Sequence, residues 1–373
     1  MNDKKEAKCP YFGLCGGCSL QDIPYSAQVE NKKNILAKTI QKDDISTFTG
    51  PEYYYRQRMD FVFHPGGLGL RQKGRWYRVV DIEHCLIANE KLNQLLTEVR
   101  EFFQGVDVFD LQQKEGAFRF AVIRTPPTDS SISIVVNKES PRLKEASEKI
   151  KEFATTTAAN NVMITYVPPN RDVSVSEEFE VIKGSPLLRE ELLGYSFWYP
   201  VQGFFQNNHV LTEKLQLYCQ EILQEKKEEN QEAHLLDLYA GVGTFGIINA
   251  HLFKKVFLIE NHFPSHEAAQ MNMVDNKCQN IEDILHDAKN LNQIILPQPL
   301  VVIADPPRSG IHPRALKYLN RIRPQQIIYI SCNVKQLQID LQLLSNYRVK
   351  RSALFDFFPH TPHMEAVLEL VPI

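Results

Sequence analysis

The chain has 373 residues, 43% of them hydrophobic and 23% charged, with a formal net charge of −3. These values are ordinary for a soluble globular protein of two or three domains and do not by their sum mark a nucleic-acid binder. No apolar run is long enough to span a bilayer, and the start Met1-Asn2-Asp3-Lys4-Lys5-Glu6 is too polar for a secretory signal. A cytoplasmic protein with no membrane partner is therefore expected.

In chain order, the first informative residues are cysteines. Seven cysteines in such a chain argue against a disulfide framework. Cys9, Cys15 and Cys18 have the spacing C-x5-C-x2-C, and Cys85 is available as a fourth ligand. Gly16 and Gly17 leave the backbone free to wrap a bound group. Four cysteines hold either zinc or an iron–sulfur cluster, and a single close pair points towards a 4Fe–4S cluster. Cys219 and Cys278 fall in helical patterns and are expected to pack.

A polar helix-like stretch covers 26–41. Residues 56–78 then hold six basic side chains (Arg56, Arg58, Arg71, Lys73, Arg75, Arg78) against Asp60, interleaved with Phe61, Phe63, Trp76 and Tyr77 around a Gly66-Gly67 turn. Basic groups beside aromatics suit phosphate contacts plus base stacking, and a solvated strand pair is the plainer reading. A helix is expected over 89–104, strands over 118–124 and 131–137, a helix over 142–154 and a strand over 162–167. Gly184-Ser185-Pro186 and the segment up to Pro200 mark a boundary near 190. Three domains follow: 1–90 with the cysteines and basic hairpin, 91–190 as a small α+β domain, and 191–373.

Beyond that boundary the pattern becomes strand–helix alternation, with strands at 234–239, 255–260, 300–305 and 325–331. Such alternation predicts a parallel, doubly wound sheet. Two closely spaced strands, 348–356 and 363–371, predict an antiparallel hairpin at one edge. The Glu221–Glu232 charge cluster reads as an exposed helix end.

The chemistry-bearing motifs lie at the ends of these strands. Asp237-Leu238-Tyr239-Ala240-Gly241-Val242-Gly243-Thr244 runs from a buried strand into a glycine turn and a helix, where backbone can approach a nucleotide closely. Glu260 follows Gly243 by seventeen residues, at the end of the next strand, where an acid accepts hydrogen bonds from a ribose diol. The pattern is neither G-x-G-x-x-G nor a P-loop. S-adenosylmethionine, which has no phosphates, fits it better than NAD. Asp305-Pro306-Pro307-Arg308-Ser309-Gly310 makes a rigid turn at the same crevice. Cys332 ends a buried strand, where a thiolate is a candidate nucleophile. Glu365 precedes an apolar run, where partial burial raises a carboxyl towards a useful base, with His360 and His363 as competitors.

The ordered motifs Asp-Leu-Tyr-Ala-Gly-Val-Gly-Thr-Phe, Asp-Pro-Pro-Arg-Ser-Gly, Ile-Ser-Cys-Asn and Phe-Pro-His-Thr-Pro-His-Met-Glu resemble those of the RNA uracil-5 methyltransferases, which make 5-methyluridine. The N-terminal cysteines resemble that family's iron–sulfur site. The fold class implied is α/β: a C-terminal Rossmann-like S-adenosylmethionine-dependent methyltransferase sheet with an antiparallel terminal hairpin, preceded by a small α+β domain carrying an iron–sulfur site. By resemblance, Cys332 is the nucleophile that adds to uracil C6 and Glu365 the base that removes the C5 proton. Gln206, Tyr239, Gly241, Gly243, Glu260 and Asp305 belong to the cofactor site, Thr244 being a looser match. Cys9, Cys15, Cys18 and Cys85 ligate the cluster. Tyr239 stands where phenylalanine is usual, a change expected to matter little. Eight residues precede Cys9, which resembles the shorter bacterial branch acting on 23S ribosomal RNA; transfer RNA is the other substrate implied. A monomer is expected. Rival readings are an amino-methyltransferase using a similar Asp-Pro-Pro turn, and a non-catalytic RNA-binding iron–sulfur protein.

Overall fold

The computed structural model describes residues 5–373; the polar start Met1-Asn2-Asp3-Lys4 lies outside them. The chain forms two compact units rather than the three expected domains. One comprises residues up to Tyr25 with Pro51–Glu190 and Pro200–His209; the other comprises Ser26–Gly50, Glu191–Tyr199 and Val210–Ile373. Two observations account for the difference. Arg58–His64 pairs with Phe118–Arg124, which knits the cysteine segment and the expected α+β domain into one sheet. The helix Tyr25–Ile40 and the strand Ser46–Phe48 follow the catalytic half of the chain, the latter pairing with Tyr347–Phe355.

In the first unit seven strands lie in the order Arg75–Asp81, Gly67–Gln72, Arg58–His64, Phe118–Arg124, Ser131–Asn137, Asn161–Val167, Phe179–Lys183. All neighbours are antiparallel except Ser131–Asn137 with Asn161–Val167, which the helix Leu143–Thr156 connects. The basic run makes three strands instead of one hairpin. The helix Glu90–Phe102 starts where Asn89 caps it by accepting from Leu92 N at 2.8 Å. Its apolar stripe and that of Leu143–Thr156, which includes Phe153, bury against Phe61, Phe63, Ile123 and Ile132 on one sheet face.

The second unit is built on eight strands in the order Ser46–Phe48, Tyr347–Phe355, Glu365–Pro372, Gln326–Ser331, Leu300–Ala304, His234–Leu238, Lys255–Glu260, Ile281–Leu285. Glu365–Pro372 runs antiparallel to both neighbours, as the expected terminal hairpin requires. The rest is parallel, and Leu300–Ala304 and Gln326–Ser331 are buried on both faces, so their side chains read as unbroken apolar runs. Full burial of a residue such as Val302 or Ile327 contributes about 1.5–3 kcal/mol. Strand order reverses between His234–Leu238 and Leu300–Ala304, and a crevice beyond the carboxyl ends at such a point is where open α/β sheets bind ligands. Cys219 is fully buried in the helix His209–Gln224, as expected. Cys278 is not helical: it follows the end of Phe263–Asp275 and is half-buried against the core.

Candidate active site

Register brings the motif residues together. Ser331 pairs with Ala366 across antiparallel strands, so Cys332 and Glu365 occupy the next opposed positions. Ala304 pairs with Tyr329, which sets Asp305 one strand away at the same edge. Asn333, the cap of the following helix, donates from Nδ2 to Arg308 O at 2.9 Å and ties the Ser-Cys-Asn turn to the Asp-Pro-Pro loop. Below them, buried Asp340 Oδ2 accepts from Ile311 N at 3.0 Å and from the Tyr329 hydroxyl. A Cβ on Gly310 would meet that same oxygen at 2.3 Å, so the loop closes there only with glycine at its φ of +78°.

The electrostatics follow from this packing. Burial pushes the half-buried Cys332 thiol up to about 11; the carboxylates of Glu365 and Asp305 add to the rise, and the Arg308 guanidinium opposes it. Glu365, 4% exposed, has its carboxyl raised well above the ordinary range by burial and then by Asp305, again against Arg308. Of the two histidines considered alongside it, His360 is fully buried at a φ of +65° and donates its N–H to Gln28 Oε1 at 2.9 Å. His363 is exposed and meets the Phe358 ring edge-on.

Across the switch point lies the glycine turn. Tyr239 takes a φ of +67°, unusual for a side-chain-bearing residue, and both its N–H and that of Ala240 donate to Ile259 O at 3.0 Å. Gly241 follows at +56° with nothing within 4 Å of a Cβ built on it, so the turn faces open space. Gly243, at +85°, begins the helix Thr244–Asn249. Glu260 accepts from Gly241 N, Asn261 N and His262 N at 2.8 Å each. Three bonds leave carboxylate lone pairs over, since each oxygen has two. The Tyr239 hydroxyl is not idle as expected: it accepts from His312 N at 2.9 Å. Beneath the turn, buried Asp237 accepts from Gly246 N at 2.8 Å, and burial, with Asp305 and Glu260 adding, raises it to about 7. Arg308, Asn333 and Asp340 escaped sequence reasoning; the Arg-Ser-Gly and Cys-Asn contexts were the signal available for the first two.

Gln206 belongs to the first unit. The four N-terminal cysteines are also in the first unit, and there they line one cavity with Tyr11, Met59, Leu70 and Ile82. Burial, reinforced by the neighbouring thiols, raises Cys15, Cys18 and Cys85, the second to about 12. Among the described residues no group of three or more His, Cys, Asp or Glu is arranged to hold a single metal ion.

Comparison with known proteins is consistent with this geometry. The family model for tRNA (uracil-5-)-methyltransferase matches residues 24–371. A tRNA (uracil(54)-C(5))-methyltransferase of Pyrococcus horikoshii is 32% identical over 373 residues, covering 98% of this chain and 86% of its own length. An uncharacterised RNA methyltransferase of Caldanaerobacter subterraneus subsp. tengcongensis is 31% identical, covering 97% and 84%. The crystal structure of Pyrococcus abyssi tRNA (uracil-54, C5)-methyltransferase in complex with S-adenosyl-L-homocysteine superposes with a TM-score of 0.78 at 27% identity, covering 96% and 86%. The chain belongs to the tRNA (uracil-5-)-methyltransferase family, enzymes that methylate uracil in RNA at the expense of S-adenosylmethionine.

Proposed function

We propose that the protein methylates C5 of a uridine in transfer RNA, with Cys332 as nucleophile and Glu365 as base. Transfer RNA replaces the 23S ribosomal RNA expected from the sequence, because the P. horikoshii relative and the P. abyssi structure both carry names with that specificity. The observation that carries the chemistry is the register: the opposed positions after the Ser331–Ala366 pair hold a thiol and a buried carboxyl, with Asp305 alongside.

The target uracil has to leave its stack before a side chain can reach C6. Cys332 loses its proton, its sulfur bonds to C6, and the electrons of the C5=C6 bond become available at C5. S-adenosylmethionine supplies the methyl group and a sulfonium charge; Tyr239, Gly241, Gly243, Glu260 and Asp305 are the residues that would hold it. Glu365 takes the C5 proton, the double bond re-forms, and the sulfur leaves as thiolate. A thiol at about 11 is ionised in roughly one molecule in ten thousand at pH 7. The occupied site therefore has to favour the anion, and Arg308 is the cation already beside it.

The same reading gives Cys9, Cys15, Cys18 and Cys85 to a 4Fe–4S cluster. Four thiols line one cavity there, the donor set that such a cluster uses. The cluster would shape the first unit rather than carry redox chemistry. Both parts are tested on one preparation. Brown protein absorbing in the visible, which forms 5-methyluridine in unmodified transfer RNA but not in 23S ribosomal RNA, is expected. Colourless protein with stoichiometric zinc overturns the cluster, and methylation confined to ribosomal RNA overturns the substrate.

A further inference from the structure

The strand Arg75–Asp81 lies at an edge of the first unit's sheet, and its residues 75–78 are exposed, an unusual setting for an indole and a phenol in sequence. Trp76 is 63% and Tyr77 51% exposed, with their rings edge to face at 6.2 Å. Lys73, Arg75 and Arg78 flank them, and among the described residues none of the three has an ion-pair partner. The neighbouring arginines differ: Arg58 is paired with Asp60, and Arg71 with Asp172. Three cations without an ion-pair partner among the described residues thus lie beside the two rings.

That turn is also held in place. Gly16 N donates to Arg71 O at 2.9 Å and Lys73 N to Leu14 O at 2.8 Å, so the cysteine loop pairs with the strand leading into it. A Cβ on Gly16 would stand 3.0 Å from Arg71 O. Arg71 Nη1 donates across the turn to Trp76 O at 3.0 Å. A surface so exposed and yet so braced offers rings to a ligand at little ordering cost.

We propose that Trp76 and Tyr77, with Lys73, Arg75 and Arg78, form a stacking platform for unpaired bases of the RNA substrate outside the methylated nucleotide. This rests on the RNA methyltransferase reading above and adds where the strand is gripped. Every base has a face to stack, and each neighbouring phosphate has a cation to meet, so RNA is the partner this charge and aromatic pattern fits.

The test uses the full chain and an unmodified transfer-RNA transcript. Trp76→Ala is expected to weaken binding about tenfold and Trp76→Phe much less, with S-adenosylmethionine affinity unchanged. Arg75→Gln and Arg78→Gln should each lower the salt dependence of binding by about one in slope. The chain has two tryptophans, so in a Trp198→Phe background Trp76 alone reports, and RNA should quench it. An RNA affinity within twofold of wild type for Trp76→Ala, with no quenching, overturns the platform. So does a concentration-dependent dimer, formed without RNA, that Trp76→Ala abolishes, because it assigns the edge strand to self-pairing. If wild type methylates RNA and only the platform variants behave as wild type, the platform alone falls; if wild type binds no RNA, the functional reading falls with it.

Discussion

Cys332 and Glu365 stand at the ends of adjacent antiparallel strands, and the carboxylate beside the thiol discourages its ionisation after burial has already done so. Both act in their anionic forms in the proposed chemistry, and both are raised, so acid opposes each of them. kcat/KM should therefore climb with pH from about 6 to 9 without reaching a plateau, because the free thiol's value lies near 11. A bell centred near neutrality would contradict this. Glu365→Gln removes one neighbouring charge while leaving the burial. Cys332 alkylation by iodoacetamide at pH 8 should then speed up, because the carboxylate that opposes the thiolate is gone. Unchanged or slower alkylation would mean the two groups do not sense one another.

At the scale of elements, the helix Tyr25–Ile40 depends on polar residues that are buried. Lys32 is 2% exposed, and its Nζ donates to Asp356 Oδ1 at 2.6 Å and to Phe358 O at 3.2 Å. Burial lowers the ammonium's pKa by more than Asp356 restores. Gln28 on the same helix holds His360. Together they fasten the loop between Tyr347–Phe355 and Glu365–Pro372, which delivers Glu365. Lys32→Met should lower the unfolding free energy by about 3–5 kcal/mol in urea, since Asp356 is left buried without its cation. Adding Asp356→Asn should recover a large part; a loss below about 1 kcal/mol would show the pair to be dispensable.

The same helix shows where the sequence was hard to read. Its presence was legible over 26–41, but Gln28 and Lys32 look like solvent-facing residues, so its attachment to the catalytic half was not. The parallel strands were legible because both faces are apolar, as in Leu300–Ala304. Ile281–Leu285 was not, being an edge strand with no fully buried residue. Cys332 and Asp305 stood out because each follows a recognisable strand, and Glu365 because it leads into one. Asp340 was missed because only tertiary packing brings a mid-helix carboxyl beneath the Gly310 turn.

At the scale of the whole molecule, the chain forms two units with separate cores, the proposed chemistry belonging to one and the proposed base platform to the other. A formal charge of −3 conceals the local excess in 56–78, where six basic residues stand against Asp60. The central claim is a bond between Cys332 and uracil C6, and its most direct test is a covalent complex. Transfer RNA carrying 5-fluorouridine, which cannot surrender C5 fluorine as a proton, is incubated with the full chain and S-adenosylmethionine and run on a denaturing gel. The account predicts a slow-migrating complex whose cross-linked peptide contains Cys332, and none with Cys332→Ser. Full methyl transfer by Cys332→Ser, or an adduct on another residue, would contradict it.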